Sequence, residues 1–373
     1  MVSTYLMYSA VFLLSIIPAW LYQKLNHRSV LVGGILLQSK YLTGLFYFLI
    51  LFAPVFLATI RWGIGVDFWS YFELFKNLQN TDALDVLSES REPLYTLLNY
   101  ISYAIFPNCE WGIFLISSFI PLMLIVLTLD RFKTKLSLPM GIFIYFMVFY
   151  IESFNLVRQS IALAFILYAY WYILEHKPYK YIVFVVIAAL FHNTAIICLL
   201  FYFLAYRKEL LSTQYFVYYS LLFLSIIFID QLLMLIQFIP IIDFYADRYD
   251  ISASTEKFGF GFLIETIPVV VPAIIFRKQL IKENPNYLFF INLAFLSIPL
   301  RIAGYYLYWI MRLVYYVTEI QYIMIPICLC LIKNRLHKTI AYVITIIFYI
   351  CYFGYMYVIN NRGPGYPYQS IFY

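Results

Sequence analysis

A chain of 373 residues that is 64% apolar and 12% charged carries more apolar surface than a soluble domain of that length buries, which excludes an ordinary globular enzyme and points to lipid as the solvent. The formal net charge of +6 rests mostly on Lys and Arg in short loops between apolar runs, a pattern that membrane topology explains better than nucleic acid does. Cys109, Cys198, Cys328, Cys330 and Cys351 fall within or beside those runs and read as small hydrophobes, neither disulfides nor metal ligands.

A crossing takes about 20 apolar residues. In chain order the full-length candidates are residues 4–22, 41–60, 111–129, 138–153, 155–174, 215–238, 258–276, 287–305, 309–332 and 339–359. The first has no positive charge before it and no small-residue cleavage site after it, so it is expected to be a retained span. The stretch 139–174 is too long for one crossing, and its polar interruption, Glu152-Ser153-Phe154-Asn155, predicts a tight outer turn. The run 287–332 predicts a similar bend between Gly304 and Trp309.

Segments 93–107 and 181–205 are harder to place. The basic loops at 24–40, 131–135, 176–180, 207–208, 277–282 and 333–338 are all expected on the cytoplasmic side. They share that side only if both difficult segments return to the side they left, as re-entrant hairpins or interface-lying pieces, which leaves ten crossings with both termini outside. The alternative is that both cross fully and the loops at 131 and 207 depart from the positive-inside pattern. Either way the predicted fold is all-α, a polytopic integral membrane helical bundle with about 10–12 transmembrane helices. It forms a single membrane domain over residues 1–373, with outer loops at 61–92 and 239–257 and an outer tail from 360.

Arg61 closes the second span, Arg158 opens the fifth, Arg301 ends the eighth and Arg312 starts the ninth, all near the outer interface. An arginine within a span costs at least about 2.5 kcal/mol by insertion scales, so four on one side favour a function over snorkelling to headgroups. Asn155, Arg158, Gln159 and Ala162 share one helix face, and a guanidinium held there suits a phosphate. That face reads as a pyrophosphate clamp or, without a ligand, as an interhelical hydrogen-bond network. His192, amid small residues at 187–195, reads either as a base or substrate contact or as a packed structural histidine, with no other titratable group evident at its depth. In the loop 61–71, Asp67 reads as a carboxylate that orients or deprotonates an acceptor hydroxyl, or as a cap for the next helix. Asp243, Asp247 and Asp250, with Arg248 among them, read as a solvated face. No metal-ligand spacing, Asp-x-Asp motif or glycine-rich phosphate loop is evident, which argues against a metal site, a cofactor and a nucleotide-sugar or ATP substrate.

Four stretches in this order carry a family resemblance: Arg61-x3-Gly65-x-Asp67-x3-Tyr71, Asn155-x2-Arg158-Gln159-x2-Ala162, Ala188-x2-Phe191-His192-x2-Ala195 and Arg312-x2-Tyr315-Tyr316, with the tail Tyr366-Pro-Tyr368. Together they resemble the EpsG/Wzy family of bacterial exopolysaccharide, capsule and O-antigen polymerases, across nearly the whole chain. Val66 and Phe68 depart from the pattern, which has a small hydroxyl residue and a tyrosine there. The resemblance implies a multi-pass glycosyltransferase of the bacterial plasma membrane, independent of metal and nucleotide, whose active site faces outward. It would move a growing glycan from undecaprenyl pyrophosphate onto an incoming lipid-linked repeat unit. Expected pyrophosphate contacts are Arg158 and Arg312, then Arg61 and Arg301, with Gln159, Asn155 and Tyr316 beside them; His192 or Asp67 is the expected base. The expected partners are the lipid-linked repeat units and the bilayer, with a chain-length regulator and a flippase as candidates and no nucleic acid. Rival readings are a lipid-linked oligosaccharide flippase, for which related halves are expected and none is seen, and a membrane acyltransferase with His192 as base.

Overall fold

The computed structural model describes residues 2–27, 31–32, 35–36, 40–78, 90–107, 109–205, 260–306 and 308–372. The expected span at 215–238, the outer loop at 239–257 and the Asp243 cluster lie outside these residues. The apolar runs fold as helices because a backbone in lipid must satisfy its own hydrogen bonds within the segment. Helices α1 (Val2–His27) and α2 (Lys40–Ile60) form an antiparallel pair, and a short hairpin ladder, β1 (Leu31–Val32) with β2 (Ile35–Leu36), lies between them in sequence. There follow α3 (Phe68–Asn77), α4 (Pro93–Ile105), α5 (Trp111–Arg131), α6 (Leu138–Val148), α7 (Val157–Leu174) and α8 (Pro178–Phe191). A 3-10 run (Asn193–Leu200) leads into the short α9 (Phe201–Leu204). Beyond it come α10 (Phe260–Ile275), α11 (Arg277–Glu283), α12 (Leu288–Tyr306), α13 (Tyr308–Thr318), α14 (Gln321–Leu331) and α15 (Arg335–Phe353). Proline stands in the first turn of α4, α6 and α8, where its missing N–H has no helical partner to lose.

Among the described residues, seven helices are long and apolar enough to cross a membrane, so the chain is an all-α, multi-pass membrane protein. The span over α13 and α14 is 83% buried, against 28% for α1 and 22% for α15, which makes the former central and the latter two lipid-facing. Neighbouring helices pack in the series α1, α2, α5, α7, α8, while α6 joins α1 to α14 and α12 lies between α10 and α13.

The bundle has two chemically distinct ends. At the basic end, Gln23 donates to the carbonyls of Lys133 (2.7 Å) and Leu136 (2.6 Å) and accepts from the Leu138 N–H (2.9 Å), while Asn286 donates to the Leu174 carbonyl at 2.8 Å. At the far end the tail is strapped down. The Trp62 N–H donates to the Gln369 carbonyl and the Ile371 N–H to the Ile60 carbonyl, both at 2.9 Å, and the Tyr8 hydroxyl reaches the Gly365 carbonyl at 2.9 Å.

The two difficult segments do not cross. Helix α8 has 14 residues, about 21 Å against a hydrocarbon core of about 30 Å. After His192 the chain turns back along it: the Tyr181 hydroxyl donates to the Cys198 carbonyl, the Tyr181 and Tyr202 rings lie 5.8 Å apart, and Asn292 in the second turn of α12 donates to the Leu204 carbonyl at 3.0 Å. His192 is thus the tip of a re-entrant hairpin that enters from the basic end. Helix α4 begins and ends at the far end, its flank packed on Gly112 at the start of α5 and its rings on α3 through Tyr71–Tyr95 (5.8 Å) and Phe75–Tyr103 (6.1 Å). The turn expected at Glu152 to Asn155 is present as a 3-10 turn (Glu152–Phe154) between α6 and α7.

Helix α6 is held against α14 through Gly141, where a Cβ would meet the Tyr322 carbonyl oxygen at 2.8 Å and the Leu129 side chain at 2.9 Å. Gly141→Ala is expected to destabilise the protein by about 1–3 kcal/mol through overpacking, read as a lowered thermal midpoint of the detergent-solubilised protein. An unchanged midpoint would show that this contact is not close in solution.

Candidate active site

Glu92, the residue before Pro93 and α4, is nearly buried and serves three groups at once. Its Oε1 lies 2.7 Å from His192 Nδ1 and accepts the Asn193 N–H at 3.4 Å; its Oε2 forms an ion pair with Arg158 Nη1, one residue into α7. The constellation exists because α8 stops: His192 adopts an extended backbone (φ −155°, ψ 113°) between α8 and the following 3-10 run, which turns its ring and the next N–H toward the start of α4. With Nδ1 donating to the carboxylate, His192 Nε2 is the nitrogen left with a lone pair, and it is buried with no hydrogen-bond partner among the described residues. Burial alone would raise the Glu92 carboxyl, but the hydrogen bond from His192 and the charge of Arg158 outweigh it and hold the group below the usual carboxylate range. The expectation that no titratable group shares the depth of His192 is therefore corrected by Glu92.

The Arg158 side chain stays 45% exposed, its guanidinium carbon 5.8 Å and 5.9 Å from the ring centres of Tyr71 and Tyr95. The next residue, Gln159, donates to the Arg312 carbonyl at 2.7 Å, which sets α13 beside this turn of α7. Arg312 has no ion pair among the described residues and is partly exposed. Tyr316, fully buried one turn on, pairs its hydroxyl with Thr194 Oγ1 at 3.1 Å, two residues from His192.

Other expected contacts are placed differently. Arg61 is 2% exposed, stacks on Phe114 (4.3 Å) and Phe154 (4.9 Å), and donates to the Ala58 carbonyl. The cavity beside it, lined by Ser117, Ser153 and Ser160, holds about 10 Å³, room for one water and too little for a phosphate. Arg301 is buried in an ion pair with Glu265 of α10. Glu265 also takes Arg362 of the tail, whose Nε lies 3.5 Å from Glu152, while Tyr315 donates to Glu152 at 3.2 Å. Arg301 and Arg362 thus balance Glu265 and Glu152. A buried guanidinium must be compensated by its surroundings, and Arg61 finds an aromatic sandwich while Arg301 finds a carboxylate network. Asn155 is also engaged, accepting the Val66 N–H at 2.6 Å. That bond pins the loop before α3, where Gly65 (φ 102°) sits so near the Phe154 carbonyl that a Cβ would meet it at 2.9 Å. Asp67 stands at the N-cap of α3, partly exposed, with no capping hydrogen bond from its side chain.

A family model, described as the EpsG family, matches residues 44–370. The chain belongs to the EpsG family. No curated protein and no solved structure matches it. The match spans every residue of both charge clusters, from Arg61 to Arg362, and EpsG membership implies a function of the polysaccharide-polymerase type. Reading residue types along this EpsG chain missed Glu92, Glu152, Glu265 and Arg362. Glu265 did carry a signal, as the single carboxylate of an apolar run.

The folded state favours ionised Glu92, so its contribution to stability is complete above the usual glutamate range and is lost as pH falls through the lowered value. Glu92→Gln should therefore cost on the order of 1 kcal/mol at neutral pH, since half-exposed Arg158 finds water instead. The gap in thermal midpoint should narrow once the pH is brought below the usual glutamate range. A gap of equal size at both pH values would mean that the Glu92 charge does not hold this site together.

Proposed function

We propose that this chain is the polymerase that transfers a growing glycan from undecaprenyl pyrophosphate to a hydroxyl of an incoming lipid-linked repeat unit at the outer face of the bacterial plasma membrane. The observation that carries the reading is the meeting of a half-exposed arginine and a carboxylate-oriented histidine at one point, Glu92, at the end of the bundle opposite the basic loops. The gathering of the basic loops at the opposite end supports, through the positive-inside tendency, an outer position for this site.

The reaction asks for stabilisation of the leaving group and removal of a proton from the acceptor. The acceptor oxygen attacks the anomeric carbon, the bond from that carbon to the pyrophosphate oxygen breaks, and the pyrophosphate leaves with the electron pair. Arg158 supplies forked donors to that developing charge, and Arg312, without an ion pair among the described residues, adds a second cation from α13. His192 Nε2 takes the acceptor proton, and Glu92 on Nδ1 fixes the tautomer and steadies the imidazolium. Asp67 makes no side-chain capping bond and has no orienting partner of this kind among the described residues, which favours His192 as the base. No metal or nucleotide enters this scheme. Arg61 and Arg301 act within the scaffold, one packing the α2 end and the other tying α12 to α10.

In cells lacking the gene, surface polysaccharide should collapse from a ladder to single repeat units on lipid. Arg158→Ala and His192→Ala should fail to restore the ladder although the protein inserts normally, the histidine change lowering polymer by on the order of 10²–10⁴-fold. Units trapped on the inner face would instead identify a flippase, and full-length chains lacking ester groups an acyltransferase.

A further inference from the structure

We infer that Glu92 couples the two halves of the reaction: it occupies Arg158 while the donor site is empty and passes its charge to His192 once a pyrophosphate sits on Arg158. The inference rests on the roles given to Arg158 and His192 above. The carboxylate is divided between them oxygen by oxygen. Oε2 faces Arg158, whereas Oε1 serves His192 Nδ1 at 2.7 Å and the Asn193 N–H at 3.4 Å.

A guanidinium has five N–H donors, and Glu92 engages the Nη1 side of an Arg158 side chain that is 45% exposed. Tyr71 shares a further side-chain hydrogen bond with Arg158, and the donors on the exposed part of the guanidinium are left for a ligand. A pyrophosphate seated on them is a second anion on the same cation, and two anions sharing one cation repel strongly where water is scarce. Glu92 cannot swing into solvent, because it is 9% exposed and Oε1 stays bonded to the hairpin tip. Its charge then falls to the imidazole, where it stabilises the imidazolium formed as Nε2 receives the acceptor proton. The other titratable groups found around this pair are the phenols of Tyr71 on α3, Tyr95 on α4 and Tyr316 on α13, the last reached through Thr194. None of them carries a formal charge to reassign at neutral pH. Glu92 is therefore a positioning residue whose partner changes with the state of the donor site.

Linkage makes the effect reciprocal: Glu92 weakens the hold of Arg158 on the donor by the factor by which a bound donor weakens the Glu92–Arg158 pair. The base is thus armed only when a donor is present, which spares the site from activating water or an acceptor prematurely. After transfer, Glu92 re-engages Arg158 and helps to expel the lipid pyrophosphate.

The test uses purified protein in lipid nanodiscs. Undecaprenyl pyrophosphate serves as the probe for binding, because it is the leaving group whatever the sugars, and lipid-linked units extracted from cells lacking the gene serve for turnover. Glu92→Gln is expected to bind the probe more tightly, on the order of tenfold, while polymer formation falls on the order of tenfold or more. His192→Ala should keep wild-type affinity and lose turnover. Glu92→Asp keeps the charge but shortens the reach, so it should bind near wild-type affinity yet turn over slowly, and it carries the test if the glutamine variant does not fold. A glutamine variant that loses affinity and turnover together, as a purely structural residue would, overturns the coupling, as does an aspartate variant with wild-type turnover. Wild-type binding by Arg158→Ala overturns the clamp on which the coupling stands.

Discussion

Charge taken out of water into a helical bundle has to be answered by charge or by hydrogen bonds within the bundle, and the far end of this protein is arranged around that constraint. An arginine at the centre of a span costs about 2.5–3.5 kcal/mol on insertion scales. Three different answers stand side by side. Arg61 is enclosed by aromatic faces and a backbone carbonyl, and Arg301 is absorbed with Arg362 into a neutral network with Glu265 and Glu152. Arg158 alone shares its carboxylate with a histidine while keeping part of its guanidinium open. The first two answers hold the charge within the scaffold, although Nε of Arg61 and Nε of Arg301 are buried without a hydrogen-bond partner among the described residues. The third is incomplete, and that incompleteness is what the proposed reaction draws on.

The backbone obeys a parallel constraint. Non-helical chain at membrane depth is tolerated only where protein or a cavity surrounds it, and here the irregular stretches cluster at the far end: the turn between α6 and α7, the extended residue at His192, and the loop before α3. These breaks free side chains from the helix register. A histidine inside a continuous α8 would see only the neighbours its helical face allows. At the hairpin tip, with an extended backbone, it meets a residue a hundred positions earlier in sequence.

Legibility in the sequence followed contrast. Arg158 and His192 stand out because an ionisable group in an apolar run is conspicuous, and the spans are legible because lipid imposes length and polarity directly. The charge of the basic loops also predicted that 181–205 returns to its starting side, as the Tyr181–Cys198 contact shows it to do. Glu92 gave no contrast, since it follows Asp82, Asp85 and Glu89 in a polar loop where a carboxylate is ordinary. The difference between Arg158 and Arg61 was equally invisible. Both end or begin spans near the same interface, and only tertiary packing decides that one meets Phe114 and Phe154 while the other meets Glu92.

The turn between α6 and α7 draws together charged and polar residues that lie far apart in the chain. Within seven positions it holds Glu152, which receives Arg362 and Tyr315; Asn155, which holds the loop before Asp67; and Arg158, which opens toward the site. Gly363 of the tail lies so close that a Cβ there would meet Asn155 Nδ2 at 2.7 Å and Glu152 Oε2 at 3.1 Å. The tail therefore braces the turn from one side and the glycine loop from another. Arg158 leaves this turn on a rigid first turn of α7, whose next residue is bonded to α13 at Arg312. In the proposed reaction an arginine that meets developing charge without reorganising needs such support. The strapped tail, the pinned loop and the Gln159 bridge are then parts of one mounting, and the distance between them in sequence measures how many elements it takes to hold a single guanidinium still.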